Sequence, residues 1–231
     1  AKSPCGLDAL TRAFACGVRG QDMWLAKPEN AWINHIKTDA ASNSTWVEDS
    51  SPISRDLAIC KRELFGLIIL AHACNKTNRS WRVGFDANDE EPNDGFIAKG
   101  KTRLRIEHKV VAQMQKEEVL EAILSVYKKS AKKGCDYGKD RILVIQPNKS
   151  PSHGGLIKIS DLTKEIDGQS PFDKVITVGL VSSKNGIGIF HLIQHYPPLQ
   201  RKSVIGSGIT QIDFDYATGQ ANLAHEGFSI C

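Results

Sequence analysis

The stretch DGFIAKGKTRLRIEHKVV, residues 94–111, is the part of the sequence from which the fold is predicted. It holds two strand-like runs, Asp94 to Ala98 and Thr102 to Val111, separated by a short Lys99-Gly100 turn, which predicts an antiparallel hairpin. Side chains alternate along a strand, so odd and even positions of the second run face opposite ways. The odd face is charged and the even face mostly apolar: Arg103, Arg105, Glu107 and Lys109 against Leu104, Ile106, His108 and Val110.

The pairing within this hairpin brings two carboxylates together. A two-residue turn at Lys99-Gly100 places Asp94 opposite Arg105, and a four-residue loop gives the same pairing. In either case Asp94 points to the same side of the sheet as Glu107 and Lys109. Two converging carboxylates repel each other unless a cation lies between them, and oxygen ligands favour Mg²⁺ or Mn²⁺. The hairpin therefore predicts a divalent-metal site.

Regular elements are predicted on both sides of the hairpin. Ser51-Pro52 is a typical helix start, and apolar residues at three- and four-residue spacing carry that helix to about Cys74. Trp81 to Asp86 predicts a further strand. An amphipathic helix follows from about Gln115 to Lys133. The run Arg141 to Ile145 is continuously apolar, which is typical of a buried strand parallel to its neighbour.

The two ends of the chain are less informative. Lys174 to Ser182 and Ile187 to Tyr196, joined around Asn185-Gly186, predict a second hairpin. Residues 6–17 predict a short helix, and an irregular segment follows to residue 50. That segment carries Trp24, Trp32 and Trp46, which indicate either a layer packed over the core or platforms on which bases stack.

Length and composition fit one soluble globular domain. The chain has 231 residues, of which 41% are hydrophobic and 24% charged, which excludes a fibrous or mainly disordered protein. The net charge of +4 is mild, but the cations are clustered. Clusters at 99–105 and 128–133 suit a protein that approaches a polyanion, and they are equally typical of solvated faces.

The spacing of the six cysteines indicates no disulfide bond. Cys5, Cys16, Cys60, Cys74, Cys135 and Cys231 are scattered without a C-x-x-C pair, so reduced thiols are expected. The first residues show no basic segment followed by a long apolar one, and the longest apolar run, Leu64 to Ala71, is too short to span a bilayer. A cytoplasmic protein with no membrane partner is the expectation.

Two short motifs carry a resemblance to a known family. The residues PNDG at 92–95, a hairpin and then IEHK at 106–109 resemble the PD-(D/E)XK signature of restriction-endonuclease-like nucleases. Asn93, which separates proline from aspartate, departs from it. The order of elements over residues 52–146 is also similar to that family's core. The resemblance implies an α/β fold with a central mixed β-sheet flanked by helices, in the order α-β-β-β-α-β.

The family resemblance also implies roles for individual residues. Asp94 and Glu107 would bind Mg²⁺, with Mn²⁺ as a substitute, and the main-chain carbonyl of His108 would add a ligand. Lys109 would act near the attacking water. Glu63 is a further catalytic candidate, because many members supply a carboxylate from the helix before the sheet; a solvated glutamate is the alternative interpretation.

The function implied is hydrolysis of phosphodiester bonds, foremost by a DNA endonuclease of restriction type that acts as a homodimer. The basic residues Lys99, Lys101, Arg103 and Arg105 would then contact the nucleic acid. Residues 1–51 and 147–231 would be additions within a single domain, used for recognition, packing or dimerisation. The alternatives are a ribonuclease of a toxin or defence system, a non-catalytic nucleic-acid-binding protein, and plain surface charges on a hairpin.

Overall fold

The computed structural model describes residues 23–35, 55–75, 80–86, 95–111, 119–147, 159–166, 170–198, 208–228 and 230. The helices in these ranges are α1 (Pro28–His35), α2 (Arg55–Cys74), α3 (Val119–Ala131), α4 (Cys135–Gly138) and α5 (Ile159–Ile166). The strands are β1 (Met23–Ala26), β2 (Arg82–Asp86), β3 (Gly95–Lys99), β4 (Thr102–Val111), β5 (Arg141–Pro147), β6 (Lys174–Lys184), β7 (Ile187–Tyr196), β8 (Ile209–Asp215) and β9 (Ala221–His225).

All nine strands belong to one sheet, in which they follow one another in chain order from β1 to β9. β5 runs parallel to both of its neighbours, and every other pair is antiparallel. The chain is therefore a mixed α/β protein, as predicted. The sheet is much larger than the four strands of the predicted core, because β1 extends it at one edge and β6 to β9 extend it at the other.

The predicted order of helix, three strands, helix and strand is present between residues 55 and 147, with the one-turn helix α4 added before β5. The apolar run beginning at Arg141 is a strand parallel to β4, as predicted. The second hairpin is also confirmed, and its turn is Asn185-Gly186, where both residues have positive φ. The short helix predicted at 6–17 and the helix start at Ser51-Pro52 lie outside the described residues.

The predicted register of the first hairpin is wrong, because each residue of β3 pairs with a residue of β4 that lies two positions later than predicted. Phe96 lies opposite Arg105 and Lys99 opposite Thr102, so the turn is Gly100-Lys101. Gly100 has a φ of 58° and takes the first turn position, where a two-residue hairpin turn favours glycine. A shift by two residues leaves the faces unchanged. Asp94 precedes the first described residue of β3.

The two faces of the sheet are covered by different helices. α2 packs against one face, where its apolar side chains form a core with Ile97, Ile106 and Val144. α3 and α5 pack against the other face, which carries Val111, Leu143 and Ile145. Adjacent residues of β4 and β5 thus point to opposite layers, which confirms the predicted alternation.

Trp32 belongs to a packed layer, not to an exposed stacking platform. Its side chain is fully buried, and its ring lies 5.1 Å from the ring of Phe214 and 5.6 Å from that of Phe65, measured between centroids. Its indole nitrogen donates a hydrogen bond to the main-chain oxygen of Tyr216. The packed-layer interpretation is confirmed for Trp32, while Trp46 lies outside the described residues.

One cysteine departs from the expectation of reduced thiols. Cys74, at the end of α2, is disulfide-bonded, so the prediction is wrong at that position. Its partner is not among the cysteines whose side chains the structure describes, and Cys135 is a free, exposed thiol. Disulfides belong mainly to oxidising compartments, so the thiol argument for a cytoplasmic location no longer holds. Within the described ranges, no helix is long and apolar enough to cross a membrane.

Candidate active site

Glu107 is a carboxylate buried in the middle of the sheet. It lies on β4, beside Leu143 of β5, and its side chain is only 1% exposed. Burying an ionised carboxylate costs several kcal/mol unless cations and hydrogen-bond donors replace the lost water. The residues around Glu107 must therefore supply both.

Three side chains surround the Glu107 carboxylate. The ammonium groups of Lys109 and Lys133 both contact Oε1, at 2.9 Å and 2.8 Å. The hydroxyl of Tyr137 donates a hydrogen bond to Oε2. Lys109 comes from the same strand, whereas Lys133 and Tyr137 come from the crossover between β4 and β5. The carboxylate is thus held by charge on one oxygen and by a neutral donor on the other.

These contacts set the protonation states of the cluster. Burial raises the pKa of Glu107, but the charge of Lys109 and the hydrogen bonds from Lys133 and Tyr137 outweigh it, so the pKa lies below the ordinary value. Burial and the hydrogen bond to Glu107 raise the pKa of Tyr137 well above that of a free phenol. At neutral pH the cluster therefore holds an ionised carboxylate and a protonated phenol.

Lys109 marks a point on which two oxygen ligands converge. Its Nζ lies 2.9 Å from Glu107 Oε1 and 3.1 Å from the main-chain oxygen of His108. These are the two oxygens, one from the Glu107 side chain and one from the His108 main chain, that were predicted to bind the metal. They are hard donors that already converge on one cation, so their chemistry fits Mg²⁺ or Mn²⁺. Lys109 itself is one-third exposed, so solvent reaches this point.

The side chain of His108 points away from the cluster, into the core under α2. Its Nε2 lies 3.1 Å from Oε1 of Gln146, and burial is the main reason that its pKa falls to about 3. It packs so closely against α2 that a Cβ added at Gly66 would lie 2.4 Å from its ring. The neutral imidazole thereby fixes the main chain whose carbonyl oxygen faces Lys109.

Further positive charge surrounds Glu107 on the same sheet face. Arg141 of β5 is 1% exposed, and its guanidinium carbon lies 4.2 Å from the centroid of the Tyr137 ring. Arg105, half-buried, pairs with Arg141 in the parallel register. With Lys109 and Lys133, these side chains give four positive charges near the Glu107 carboxylate within the described part of the chain. Such an excess attracts a polyanion.

The remaining predicted nucleic-acid contacts lie farther along the hairpin. Arg103 is half-buried, with its guanidinium carbon 3.7 Å from the centroid of the Phe96 ring, so part of its role is packing. Lys99 and Lys101 are exposed at the tip. At about 3.3 Å per residue, the tip is roughly 17 Å from Glu107 along β4. Lys99 pairs with Thr102, on the face opposite to Glu107, so only Arg103 of this group extends the charged face along β4.

Two predicted carboxylates are not brought to Glu107 by the described residues. Glu63 is a half-buried residue of α2, which covers the opposite face of the sheet, so a role beside Glu107 stays a prediction. Asp94 lies outside the described residues. Among the residues that the structure describes, no group of three or more His, Cys, Asp or Glu side chains is arranged to hold a metal ion. The described residues therefore supply the Glu107 carboxylate and the His108 carbonyl oxygen to the predicted metal site, and the part of Asp94 stays a prediction.

Sequence reasoning missed Lys133, Tyr137 and Arg141 as residues of the site. Lys133 resembled an ordinary lysine at the end of a helix, where cations favour the helix dipole. Tyr137 lies in a four-residue helix without helical periodicity, and Arg141 was counted only as part of a buried apolar strand. The sequence did offer one indication of these residues. The chain between two parallel neighbouring strands must return to the sheet beside the first strand, and here that strand carries the E-x-K motif.

Comparison of the chain with protein-family models, with curated proteins and with solved structures finds no match.

Proposed function

We propose that this protein is a Mg²⁺-dependent nuclease of the restriction-endonuclease-like class that hydrolyses phosphodiester bonds in DNA. One observation carries the proposal. Glu107 Oε1 and the His108 main-chain oxygen converge on a single cationic atom, Lys109 Nζ, on a basic face of the sheet. An E-x-K strand that presents two hard oxygens, an ammonium group and positive surroundings is suited to binding a metal and a phosphate together.

The arrangement of the elements supports this class. The helix α2, the antiparallel strands β2 to β4, the helix α3 and the parallel strand β5 follow the order that the PD-(D/E)XK resemblance implies. The large C-terminal extension of the sheet is additional to that core. Fold order alone does not define an activity, so the proposal rests on the site.

The proposal requires Asp94 as the second carboxylate. The described pairing of β3 with β4 ends at Gly95 opposite Ile106. Asp94, the next residue towards the N-terminus, lies outside the described residues, so its place beside Glu107 stays part of the proposal.

In the proposed mechanism, a bound Mg²⁺ would polarise the phosphate and lower the pKa of a water molecule. Glu107 and the His108 carbonyl oxygen would be its ligands, together with Asp94. Lys109 would place a positive charge beside the scissile phosphate, where negative charge increases during attack. The side chain of His108, held by Gln146, would keep the carbonyl oxygen in position.

DNA is the preferred substrate, and a homodimer is the preferred assembly, because cutting both strands of a symmetric site requires two active sites related by a twofold axis. The cations of the hairpin, Arg103 and Arg105 with Lys99 and Lys101, would contact backbone phosphates. Recognition of the target would fall to residues 1–51 and 147–231.

The proposal is tested by incubating the protein with plasmid DNA and, separately, with folded RNA, in Mg²⁺, Mn²⁺ or EDTA. We expect cutting of DNA that EDTA abolishes. Lys109→Ala and Asp94→Ala should each lower the rate about a hundredfold or more, with little change in circular dichroism. Lys129→Ala, at an exposed position near the end of α3, is the matched control. Undiminished cutting by Lys109→Ala would show that this face is wrongly assigned.

A second candidate is a non-catalytic nucleic-acid-binding protein. The observation that favours it is that Lys109, Lys133 and Tyr137 already satisfy the Glu107 carboxylate. This candidate predicts nucleic-acid binding without cleavage and no heat of Mn²⁺ binding by calorimetry. A ribonuclease with the same site is the alternative outcome of the cleavage assay, in which RNA is cut and DNA is not.

A further inference from the structure

Lys133 reaches Glu107 because of the turn that ends α3. After Ala131 the chain leaves the helix through a turn in which the amide of Gly134 donates to the carbonyl oxygen of Ala131. Gly134 has a φ of 90°, a conformation that favours glycine, and α4 begins at the next residue. This reversal brings Lys133 and Tyr137 together, on the same side of the sheet as Glu107.

The ammonium of Lys133 has a small set of partners among the described residues. Its Nζ lies 2.8 Å from Glu107 Oε1, 2.9 Å from the Tyr137 hydroxyl oxygen and 4.1 Å from the centroid of the Tyr137 ring. Apart from Glu107, these partners are neutral. The side chain is 42% exposed, so Lys133 can turn into solvent without disturbing the core.

Lys133 and a metal ion would compete for the same carboxylate oxygen. Two ammonium groups already contact Glu107 Oε1, and a divalent cation there would meet their positive charges at a few ångströms. Lys109 has a second acceptor in the carbonyl oxygen of His108, whereas Lys133 has no second charged or carbonyl partner among the described residues. Lys133 is therefore the group that would leave.

We infer, on the basis of the proposed function, that Lys133 is an exchangeable cation of the site. In the metal-free protein it neutralises Glu107, and it leaves Glu107 when a divalent cation binds. It then remains beside the site, anchored near Tyr137, as a phosphate-binding ammonium for the substrate backbone. Lys133 is thus a substrate-binding residue as well as a competitor of the metal.

The first test measures metal affinity alone, by calorimetry with Mn²⁺. Lys133→Met keeps most of the length of the unbranched side chain and removes its charge. We expect this variant to bind Mn²⁺ about fivefold more tightly, or better, than the parent protein. Lys129→Met removes an equal charge at an exposed position on α3 and should leave the affinity within about twofold.

The second test measures binding of a short DNA duplex by fluorescence anisotropy, with Ca²⁺ in place of Mg²⁺ to limit cleavage. Lys133→Met should bind the duplex more weakly than the parent protein and Lys129→Met. The slope of log affinity against log salt should fall by about one, as expected for the loss of one phosphate contact. A purely structural lysine would not produce tighter metal binding together with weaker DNA binding.

A second variant covers the case in which Lys133→Met does not fold. Tyr137→Phe keeps the ring under Lys133 and removes one donor from Glu107, and it should strengthen Mn²⁺ binding less than Lys133→Met does. Binding of Mn²⁺ by the parent protein with no gain in either variant would overturn the exchange and leave the proposed nuclease intact. No Mn²⁺ binding by any of these proteins would overturn the proposed function itself.

Discussion

Two buried titratable groups lie on the same face of the sheet, and their surroundings differ. Glu107 of β4, near α3, is ionised and contacts two ammonium groups. His195 of β7, near α5, is also 1% exposed, but its partners are hydroxyl groups: Nε2 lies 2.9 Å from Thr177 Oγ1, and Nδ1 lies 3.3 Å from Thr163 Oγ1. Burial lowers the pKa of His195 to about 4, so the ring is neutral.

This difference indicates that His195 is a structural group and that Glu107 belongs to a functional site. Thr177 and Thr163 satisfy both ring nitrogens of the neutral His195, so the ring has no need of another partner. The partners of Glu107 are one-third and 42% exposed lysines that water or another cation can replace. A buried carboxylate with exchangeable cations is the kind of group at which perturbed pKa values mark function.

The largest effect is expected when Glu107 loses both cations. The double variant Lys109→Met, Lys133→Met leaves an ionised carboxylate buried, so the free energy of unfolding should fall by about 3 kcal/mol or more. Urea denaturation at neutral pH measures this change. Lys128→Met, Lys129→Met removes the same charge from an exposed part of α3 and should change the stability little. Equal losses in the two proteins would mean that the cluster is no more than a surface charge pattern.

Removal of a hydroxyl beside His195 should have an intermediate effect. Thr177→Val keeps the side-chain shape and leaves Nε2 of the buried ring without its 2.9 Å partner, which should cost about 1–2 kcal/mol. Thr163→Val should cost less, because Thr163 is half-buried and water can take its place. Thermal or urea unfolding distinguishes the two variants, and a larger loss for Thr163→Val would contradict this account of the ring.

The smallest effect is a dependence on pH. The folded pKa of His195, about 4, is below the ordinary histidine value of 6.5, so the unfolded chain binds the proton first as pH falls. The contribution of His195 is complete above pH 6.5 and is lost as pH falls towards 4. Between about pH 6.5 and 5.5 the loss is about 1 kcal/mol.

His195→Gln should remove that share of the pH dependence, as measured by urea unfolding at several pH values. His108, buried with a pKa of about 3, has the same sign and leaves a residual dependence in the variant. His225→Gln, at an exposed position of β9, serves as the control. An unchanged pH dependence in His195→Gln would mean that the ring is already protonated in the folded protein.

Most elements of the fold between residues 55 and 147 could be predicted from periodicity, because alternation in β4 and the apolar run in β5 are local patterns. The register of β3 with β4 could not be predicted exactly, since it depends on which residue takes a positive φ in a turn that contains Gly100. The strands β8 and β9 were missed. β9 is short and largely exposed, so it lacks the alternation that a buried face imposes.

The site shows the same limit. Glu107 and Lys109 could be predicted to share a face, because two residues of one strand at i and i+2 must do so. Lys133 and Tyr137 could not, because they reach Glu107 only through the packing of the crossover on the sheet. The disulfide at Cys74 was also beyond prediction, since the spacing of single cysteines does not reveal a pair.

The order of the strands has a consequence for biosynthesis. Each strand pairs with its predecessor in the chain, so the sheet can grow by one strand at a time as the polypeptide leaves the ribosome. While α3 and α4 are being made, β4 is the unfinished edge of the nascent sheet. Arginines and lysines on such an edge discourage pairing with other chains. We expect Arg105 and Lys109, the cations of β4 that later lie near Glu107, to protect the nascent protein from aggregation first.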